Sequence, residues 1–496
     1  ELFVYSDDAG RQAARLAGRD APPPAAGAAG GGSVALCWHE LRGPRRRLAT
    51  QLHATFVRLH SAAAMGEVQL MAYSREYRAC VRQCIDELAA DEQRARGAAG
   101  GSAGEADELA AEVEKHEWAD CILHLCEVFF VERNAYVGEP LVRWLQLHVA
   151  EPPAIGALVG LLVPEQSADY WPALHRLLLH GRLAEARQLL GAHTQLRAHA
   201  ALGDAAARTG AVAGGRNEPT AGELLFYLDM LVENRPTLRS AEELLEFRGN
   251  WRVWQEDAAM LERRYELALP SGALTALKIL RADEGTLLAG CSGWVELVLA
   301  LAFHGQPTLR RTEFEPVVNH AIAHFPEERY SENDYILMSI MLDDPKQALD
   351  NLGAAYGRGW LLCHLTDLLA RAGQVAPRPL DAALADGTDG CTDHALAFLE
   401  HARTLAATHG LWQLALDFLL PLPRRLATAW ASAIIRAESV CSDAQAAKLL
   451  AACEVWGLER DAASIATQMV VRKLRAGMPA AALSWLACVF FFFFFF

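Results

Sequence analysis

Apolar residues recur three and four positions apart over most of the chain, from Leu48 onward. In one such run, Leu123, Val128 and Val131 surround Phe129. This spacing puts the apolar side chains on one face of an α-helix. Segments of about 15 to 20 residues alternate with short turns marked by Gly, Pro or Asp. The pattern predicts stacked antiparallel helix pairs, each of which buries its inner face only against its neighbours.

A glycine followed five positions later by an alanine, and then by bulky apolar residues, recurs among these predicted helices. Such a glycine ends one helix in the left-handed conformation, and the alanine on the inner face of the next helix lets two axes approach closely. We predict that these are helix-packing positions. They are Gly181 with Ala186, Leu189 and Leu190; Gly410 with Ala415, Phe418 and Leu419; Gly477 with Ala482, Trp485 and Leu486; Gly457 with Ala462 and Ile465; and, with Asp in place of Gly, Asp343 with Ala348 and Leu352.

The copies of this motif have no fixed period. Gly410, Gly457 and Gly477 are separated by 47 and 20 residues. Tetratricopeptide and ankyrin repeats keep periods of about 34 and 33 residues, so both families are excluded. The sequence therefore predicts an all-α fold, in which antiparallel helix pairs form an irregular α-solenoid.

The N-terminal residues have a different character. Two short strand-like runs, ELFVYS at 1–6 and VALCWH at 34–39, are separated by Pro-rich and Gly-rich stretches. Two strands cannot bury a sheet face alone, so we expect them to pack on this chain's helices or to join the open edge of a partner's sheet. We predict an N-terminal β segment with its linker at 1–60 and a helical solenoid at 61–488, with low-complexity loops near 97–104, 203–220 and 381–393.

Composition and charge narrow the class of protein. The chain has 496 residues, 52% of them hydrophobic, and a formal net charge of -15. Because single cores stop growing at about 250 to 300 residues, the chain must form several domains or an elongated array. The acidic surface would repel a polyanion, so no direct nucleic-acid partner is expected. The 11 cysteines include no Cys-x-x-Cys pair, which favours buried reduced thiols in the cytosol or nucleus over disulfides.

The C-terminal residues 480–496 are apolar except for Ser484 and finish in seven consecutive phenylalanines. This length barely reaches the ~17 to 25 residues of a transmembrane helix, and we expect no transmembrane segment. A pyrimidine-rich intron boundary translated by mistake would give such a run, so we predict that the poly-Phe stretch at 489–496 is a gene-model artefact. The start at Glu1, without a methionine, likewise indicates a fragment.

Signatures of catalysis and cofactor binding are absent from the sequence. It contains no G-x-x-x-x-G-K-[ST] phosphate loop. Cys391 and His394 have the residue types of half a zinc site, but no second half follows at a usable spacing. We therefore predict no catalytic residues, no metal and no cofactor, and a protein that is not an enzyme.

Several stretches resemble one known family in the same order along the chain. The longest read WADCILHLCEVFFVE at 118–132, WLQLHVAE at 144–151 and YWPALHRLLLHGRLAEARQLL at 170–190, with shorter matches at 74–88, 251–254, 277–288, 364–369, 411–414 and 482–485. These runs resemble the nucleoporin eighty-five family, whose members are subunits of the Y-shaped outer-ring complex of the nuclear pore. Collinear matches between residues 73 and 485 are hard to obtain by chance.

The resemblance implies a folded-back α-solenoid of the ancestral coatomer type, which vesicle-coat scaffolds share. In that family an N-terminal β blade completes the open propeller of a small WD-repeat partner subunit. On this basis Phe3, Tyr5, Leu36 and Trp38 are the expected propeller-contacting residues. The family's C-terminal helical tail, which joins the hub of the Y, has no counterpart here beyond Trp485.

The function implied by the resemblance is that of a structural scaffold at the nuclear pore in the nuclear envelope. Such a scaffold supports transport of protein and mRNA and pore assembly, with other Y-complex nucleoporins as partners. A different class stays open at this point, namely a vesicle-coat or lysosomal-signalling scaffold built on the same solenoid. A fusion protein seen at the nuclear rim favours the first class, and cytoplasmic puncta without a rim favour the second.

Overall fold

A computed structural model of the chain describes residues 41, 43–61, 66–97, 103–132, 136–149, 153–209, 220–238, 243–266, 270–326, 329–375 and 393–494. These residues form 23 α-helices. No strand occurs in this described part, where the only β pairing is an isolated antiparallel bridge between Tyr136 and Arg310. The predicted all-α class is confirmed there, and the run of consecutive helices is consistent with an α-solenoid. The predicted N-terminal β segment is not confirmed, since residues 1–40 lie outside the described part.

The chain divides into two compact units. The terminal unit, named for the two chain ends that it contains, comprises Glu1–Met65, Ala79–Gly101 and Tyr356–Phe496. The middle unit comprises Gly66–Arg78 and Ser102–Ala355.

The helices are numbered in chain order. The first sixteen are α1 Gly43–Ser61, α2 Glu67–Gly97, α3 Ala103–Cys126, α4 Gly138–His148, α5 Ile155–Val159, α6 Tyr170–Leu179, α7 Leu183–Gly191, α8 Thr194–Thr209, α9 Ala221–Glu233, α10 Leu244–Tyr265, α11 Ser271–Leu280, α12 Glu284–Gly290, α13 Trp294–Ala300, α14 Glu315–Ala323, α15 Glu332–Met341 and α16 Pro345–Tyr356. The last seven are α17 Trp360–Arg371, α18 Asp393–Arg403, α19 Trp412–Asp417, α20 Arg424–Ala437, α21 Asp443–Trp456, α22 Glu459–Arg475 and α23 Pro479–Phe494. Single π-helical turns, Glu127–Val131, Leu301–Gly305 and Thr404–Thr408, extend α3, α13 and α18.

Polar side chains mark several helix starts. Thr220 accepts a hydrogen bond from the Glu223 backbone N at 3.2 Å and begins α9. Ser331 and Asp334 form a reciprocal capping box at the start of α15. Such caps satisfy backbone N–H groups that have no partner within the helix. These starts therefore follow from local sequence.

In the middle unit, helices pack on neighbours in the chain and on helices far from them in sequence. Helix α11 packs on α6, α9 packs on α7 and α8, and α15 packs on α3. The core includes Trp144 and Tyr170, both 0% exposed. Trp144 Nε1 donates to the Cys121 carbonyl at 2.9 Å, and the Tyr170 hydroxyl donates to the Leu189 carbonyl at 3.1 Å. Because their polar atoms are paired, these large rings can be fully buried without losing hydrogen bonds.

The middle unit also buries a cluster of charged side chains. Arg78 Nε donates to Asp120 Oδ1 at 2.9 Å and Arg78 Nη1 to Glu127 Oε2 at 3.4 Å. Ser74 Oγ adds a hydrogen bond to Glu127 Oε2 at 2.9 Å. All four residues are less than 9% exposed. Removing one member would leave an unpaired buried charge, so this cluster fixes how the start of α2 lies against α3.

In the terminal unit, the N-terminal helix packs among C-terminal helices. Helix α1 contacts α19, and α20, α21, α22 and α23 pack in sequence. Phe56 of α1 belongs to the same buried cluster as Phe398, Phe418 and Ile435. The predicted 1–60 segment thus ends in a helix that forms part of a helical core. The division into a blade and a solenoid stays a prediction, because residues 1–40 lie outside the described part.

The eight cysteines whose side chains the structure describes are all free, and six of them are buried. Burial raises the pKa of Cys453 to about 12, so this thiol stays protonated and unreactive. Among the described helices, none combines the length and the apolar character that crossing a membrane requires.

Candidate functional site

The first candidate site is the set of joints formed by the recurring glycine and alanine motif. The residues that begin the five copies all have positive φ, namely Asp343 at 60°, Gly181 at 66°, Gly410 and Gly457 at 67° and Gly477 at 70°. The alanines five positions later, Ala186, Ala348, Ala415, Ala462 and Ala482, are at most 2% exposed. Each joint thus combines a left-handed helix end with a buried small residue on the next helix.

The joint at Gly181 is closely packed. A Cβ atom on Gly181 would lie 2.7 Å from Val142 Cγ1 and 3.2 Å from Phe303 Cε1. The Arg182 backbone N donates to the Leu177 carbonyl at 2.8 Å, which closes the end of α6 as a Schellman motif does. Ala186, Leu189 and Leu190 are all 0% exposed. Only glycine meets both the backbone and the packing requirement at this position.

Polar side chains reinforce the Gly181 joint. His180 Nε2 lies 3.1 Å from Glu296 Oε1, and Ser292 Oγ donates to Glu296 Oε2 at 2.6 Å. Burial alone would raise the pKa of Glu296, but these hydrogen bonds outweigh it and lower the pKa to about 2. Arg182 Nη2 donates to the Gln146 carbonyl at 2.9 Å. These bonds connect the turn at Gly181 with α4 and α13.

The joint at Gly477 is more exposed. Ala482 is 2% exposed, and Trp485 packs at the edge of the terminal unit's core. Leu486 is 37% exposed, so only Trp485 of the predicted apolar pair packs on the core, and it is half-buried. A Cβ atom on Gly477 or on Gly457 would meet nothing within 4 Å.

The second candidate site is the surface in the terminal unit on which α1 packs. We call this surface the seat of α1; it is formed by the joint at Gly410, with Phe418 at its centre. Phe418 of this joint stacks on Phe56 of α1, with ring centroids 4.4 Å apart and an interplanar angle of 28°. Both side chains are 1% exposed. Ala415 and Leu419 of the same joint are 0% exposed. The joint therefore packs consecutive C-terminal helices and also receives a helix from the N-terminal end.

Polar pairs fix the position of α1 on this seat. His53 Nε2 lies 2.8 Å from Asp417 Oδ2. His60 Nε2 lies 3.0 Å from Asp367 Oδ2, and Arg371 Nη2 lies 2.6 Å from His60 Nδ1. These atoms join residues more than 300 positions apart in the chain. Asp367 and Arg371 of α17 thereby hold the end of α1 through its residue His60.

Two further histidines lie beneath the seat. His364 and His401 are 2% and 6% exposed, with ring centroids 5.8 Å apart. Burial, with the neighbouring His409 and His53, lowers the pKa of His401 to about 3. Burial also lowers the pKa of His364 well below its ordinary value, with His401, His53 and His60 adding to the effect. Both imidazoles are therefore neutral at physiological pH.

A joint that the sequence motif did not reveal lies at Ala282, which has a φ of 58°. The Asp283 backbone N donates to the Lys278 carbonyl at 2.9 Å, so this helix end has the same hydrogen bond as the one at Gly181. Leu287, five positions after Ala282, is 0% exposed. The joint was missed because it has neither the glycine nor the alanine of the motif. The joints at Gly181 and Ala282 share one signal, which is a buried residue five positions after the left-handed residue that ends a helix.

The predicted blade residues Phe3, Tyr5, Leu36 and Trp38 lie outside the described part of the chain. The same holds for Cys391 and for the side chain of His394. Nothing in the structure therefore tests the propeller contact or the zinc half-site.

An open cavity of about 460 Å³ lies in the middle unit beside the π-helical turn Leu301–Gly305. Its lining residues are Phe247, Arg248, Trp251, Gly305, Gln306, Pro307, Thr308, Leu309, Arg310 and Glu313. The described residues lining it include no serine, cysteine or histidine.

Comparison with known proteins finds one family whose profile covers most of the chain. The sequence profile of the family described as Nup85 Nucleoporin matches residues 44–487. The chain belongs to the Nup85 nucleoporin family. The resemblance predicted from the sequence is confirmed. The matched range begins within α1 and ends within α23, so it includes both candidate sites.

Relatives in the Nup85 family are named as nuclear pore proteins. Nuclear pore complex protein Nup85 of Danio rerio is 26% identical over 456 residues, which cover 89% of this chain and 65% of the relative. The Homo sapiens protein of the same name is 24% identical over 456 residues, covering 89% and 64%. Nuclear pore complex protein Nup75 of Drosophila melanogaster is 21% identical over 387 residues, covering 75% and 53%. This chain thus spans less than two thirds of the length of these relatives.

Proposed function

We propose that this chain is a structural scaffold of the nuclear pore, located at the nuclear envelope, where it belongs to the outer-ring Y complex. The observation that carries the proposal is the family match over residues 44–487, which extends from the start of α1 into α23. The helix joints support a structural role, because they bury small residues and close helix ends without exposing reactive groups. Support of protein and mRNA transport, and of pore assembly, follows from holding the architecture of the channel.

We also propose how the scaffold holds its small WD-repeat partner. Residues 1–40, with Phe3, Tyr5, Leu36 and Trp38, donate a β blade to an open propeller. Its support is the short strand-like runs, which cannot bury a sheet face alone. The position of α1 adds to this support, since the helix that follows these residues is fixed by the stacking of Phe56 on Phe418. A blade attached to a fixed helix has less conformational freedom to lose on binding.

A localisation experiment tests the pore assignment. A fluorescent fusion of the chain is expected at the nuclear rim of dividing and non-dividing cells. Cytoplasmic puncta without a rim would contradict the proposal and favour a vesicle-coat or lysosomal-signalling scaffold. A fusion of residues 1–40 alone controls for signals in that segment.

A pull-down separates the blade proposal from the pore assignment. Deletion of residues 1–40 retains α1, whose Leu52 and Phe56 are each 1% exposed, and so leaves the terminal unit's core complete. We expect this variant to lose the WD-repeat subunit while far-UV circular dichroism shows its helical content unchanged. Undiminished recovery of that subunit would refute the blade and leave the pore assignment untouched. The single substitutions Trp38→Asp and Tyr5→Asp, which do not shorten the chain, are expected to lower the recovery of the WD-repeat subunit.

A further inference from the structure

Three side chains with metal-binding atoms converge on the surface of the middle unit. His320 Nε2 lies 2.9 Å from Glu284 Oε1, and His324 Nε2 lies 3.8 Å from the same oxygen. One ligand atom from each of the three residues lies within 4.8 Å of the others. We call Glu284, His320 and His324 the His2Glu cluster. No local sequence motif marks this cluster, because Glu284 is 36 residues away from His320.

The backbone fixes where these three side chains begin. His320 and His324 are four positions apart at the end of α14, so they project from one face of that helix. The buried residues of α14 are Val317, Val318 and Ala321, which leaves both histidines on the exposed side. Glu284 is the first residue of α12, where Asp283 accepts a hydrogen bond from the Thr286 backbone N at 2.9 Å. The last turn of α14 with its C-cap residue His324, and the first turn of α12, thus present the ligands.

The chemistry of the cluster matches one class of metal ion. Two imidazoles and a carboxylate are the ligands of many zinc sites, with Zn–N and Zn–O distances of about 2.0 to 2.2 Å. Around a tetrahedral ion such atoms lie about 3.4 Å apart. The two distances to Glu284 Oε1, 2.9 and 3.8 Å, bracket this value. Imidazole ligands select Zn²⁺, Cu²⁺ and Ni²⁺ over Mg²⁺ and Ca²⁺, which prefer oxygen.

We propose that the His2Glu cluster binds Zn²⁺ through His320, His324 and Glu284. The side chains are 43%, 34% and 60% exposed in that order, so the fourth coordination position faces solvent and takes a water molecule. Binding ties the start of α12 to the end of α14, two elements that the chain otherwise joins through α13. This site does not depend on the proposed pore function.

Calorimetric titration tests the proposal directly. Zinc chloride is added to the purified full chain at pH 7.5 in buffer without chelators, and the number of bound equivalents and their affinities are compared between variants. Other thiols and histidines are present in every sample, so the difference between variants is the readout. We expect His320→Gln and His324→Gln each to weaken one equivalent by about tenfold or more. Glu315→Gln, an exposed acid on α14 outside the cluster, is expected to change nothing.

Two outcomes would overturn the proposal. One is a titration in which the wild type and the histidine variants bind the same number of zinc ions with the same affinities. The other is no zinc binding at all, which would leave the cluster as a surface ion pair. Cu²⁺ provides an independent probe, because it binds nitrogen ligands more tightly than Zn²⁺ does. Its electron paramagnetic resonance spectrum should show coupling to two imidazole nitrogens in the wild type, and lose one of them in His324→Gln.

Folding of the variants is verified before each titration. All three cluster residues are exposed, so glutamine at these positions leaves the core intact and the far-UV spectrum is expected to match the wild type. Zinc should raise the Tm of the wild type and fail to raise that of the double variant H320Q/H324Q, because a ligand that binds only the folded state stabilises it. An equal rise in both would place zinc elsewhere and refute the site.

Discussion

The joints at Gly181 and Gly457 have nearly the same backbone and very different surroundings. Their φ angles are 66° and 67°, and each is followed by a backbone N that donates to a carbonyl five residues earlier, at 2.8 Å in both. A Cβ atom would collide with Val142 at Gly181, whereas at Gly457 it would meet nothing within 4 Å. The absence of a Cβ atom therefore matters for packing at Gly181 and does not at Gly457.

This difference separates two contributions to the stability of a helix joint. The left-handed conformation costs a residue with a Cβ atom about 1–2 kcal/mol anywhere in the chain. Overpacking a core adds about 1–3 kcal/mol, and only where neighbours are close. Variants at paired positions can measure the two contributions one at a time.

The largest effect is expected from Ala186→Arg. Ala186 is 0% exposed on the inner face of α7, so the variant forces a charged side chain between packed helices. We expect a loss of about 4 kcal/mol or more in the free energy of unfolding. Urea denaturation monitored by circular dichroism measures it. Ala184→Arg on the exposed side of the same helix is the matched control and should change stability little. Equal stability of the two arginine variants would mean that α7 does not bury its inner face as described.

The next effect compares glycine to alanine at the two joints. Gly181→Ala should lose about 2–5 kcal/mol, the sum of the conformational and packing contributions. Gly457→Ala should lose about 1 kcal/mol, since alanine also lowers the entropy of the unfolded chain. The test is the difference between the two urea midpoints at equal slopes. A difference within experimental error would show that Val142 and Phe303 move aside without cost.

We expect acid to lower the stability of the terminal unit at the joint at Gly410, because the buried histidines His364 and His401 lie beneath the seat of α1. The folded pKa of His401, about 3, is below the ordinary value of about 6.5, so the unfolded chain binds more protons between these values. Its contribution to stability is complete above pH ~6.5 and falls as the pH decreases toward 3. Between pH 7.5 and 5.5 we expect a loss of about 1 kcal/mol from this histidine.

Unfolding of His401→Gln and wild type at the two pH values measures this contribution. The variant is expected to lose less stability on acidification than the wild type does. If His401→Gln shows the same dependence on pH as the wild type, His401 is not the group that titrates.

The smallest effect has the opposite sign. Ala282 has a φ of 58°, so Ala282→Gly relieves left-handed backbone strain. Glycine also raises the conformational entropy of the unfolded chain, which cancels part of this stabilisation. We expect a net stabilisation of about 0.5 kcal/mol. Thermal unfolding of Ala282→Gly beside Gly457→Ala should show shifts of opposite direction. A destabilised Ala282→Gly would indicate that the Cβ atom of Ala282 makes contacts worth more than its strain.

Much of the fold could be predicted because helix joints are local. The positions of Gly181, Gly410, Gly457 and Gly477 followed from a spacing of five residues. The seat of α1 could not be predicted, since the stacking of Phe56 on Phe418 joins distant segments. The motif at Gly410 marks Phe418 as a packing residue but does not specify its partner. The His2Glu cluster was missed for the same reason.

The sequence by itself determined the helical class, the left-handed helix ends and the family, because periodicity, caps and collinear runs depend on residues within a few positions of one another. Only the tertiary structure decided which joint is tightly packed, where α1 lies and which surface side chains converge. Those outcomes depend on contacts such as Gly181 with Val142 or His60 with Asp367. Such contacts form between segments that are far apart in the chain, and no local pattern of residues specifies them.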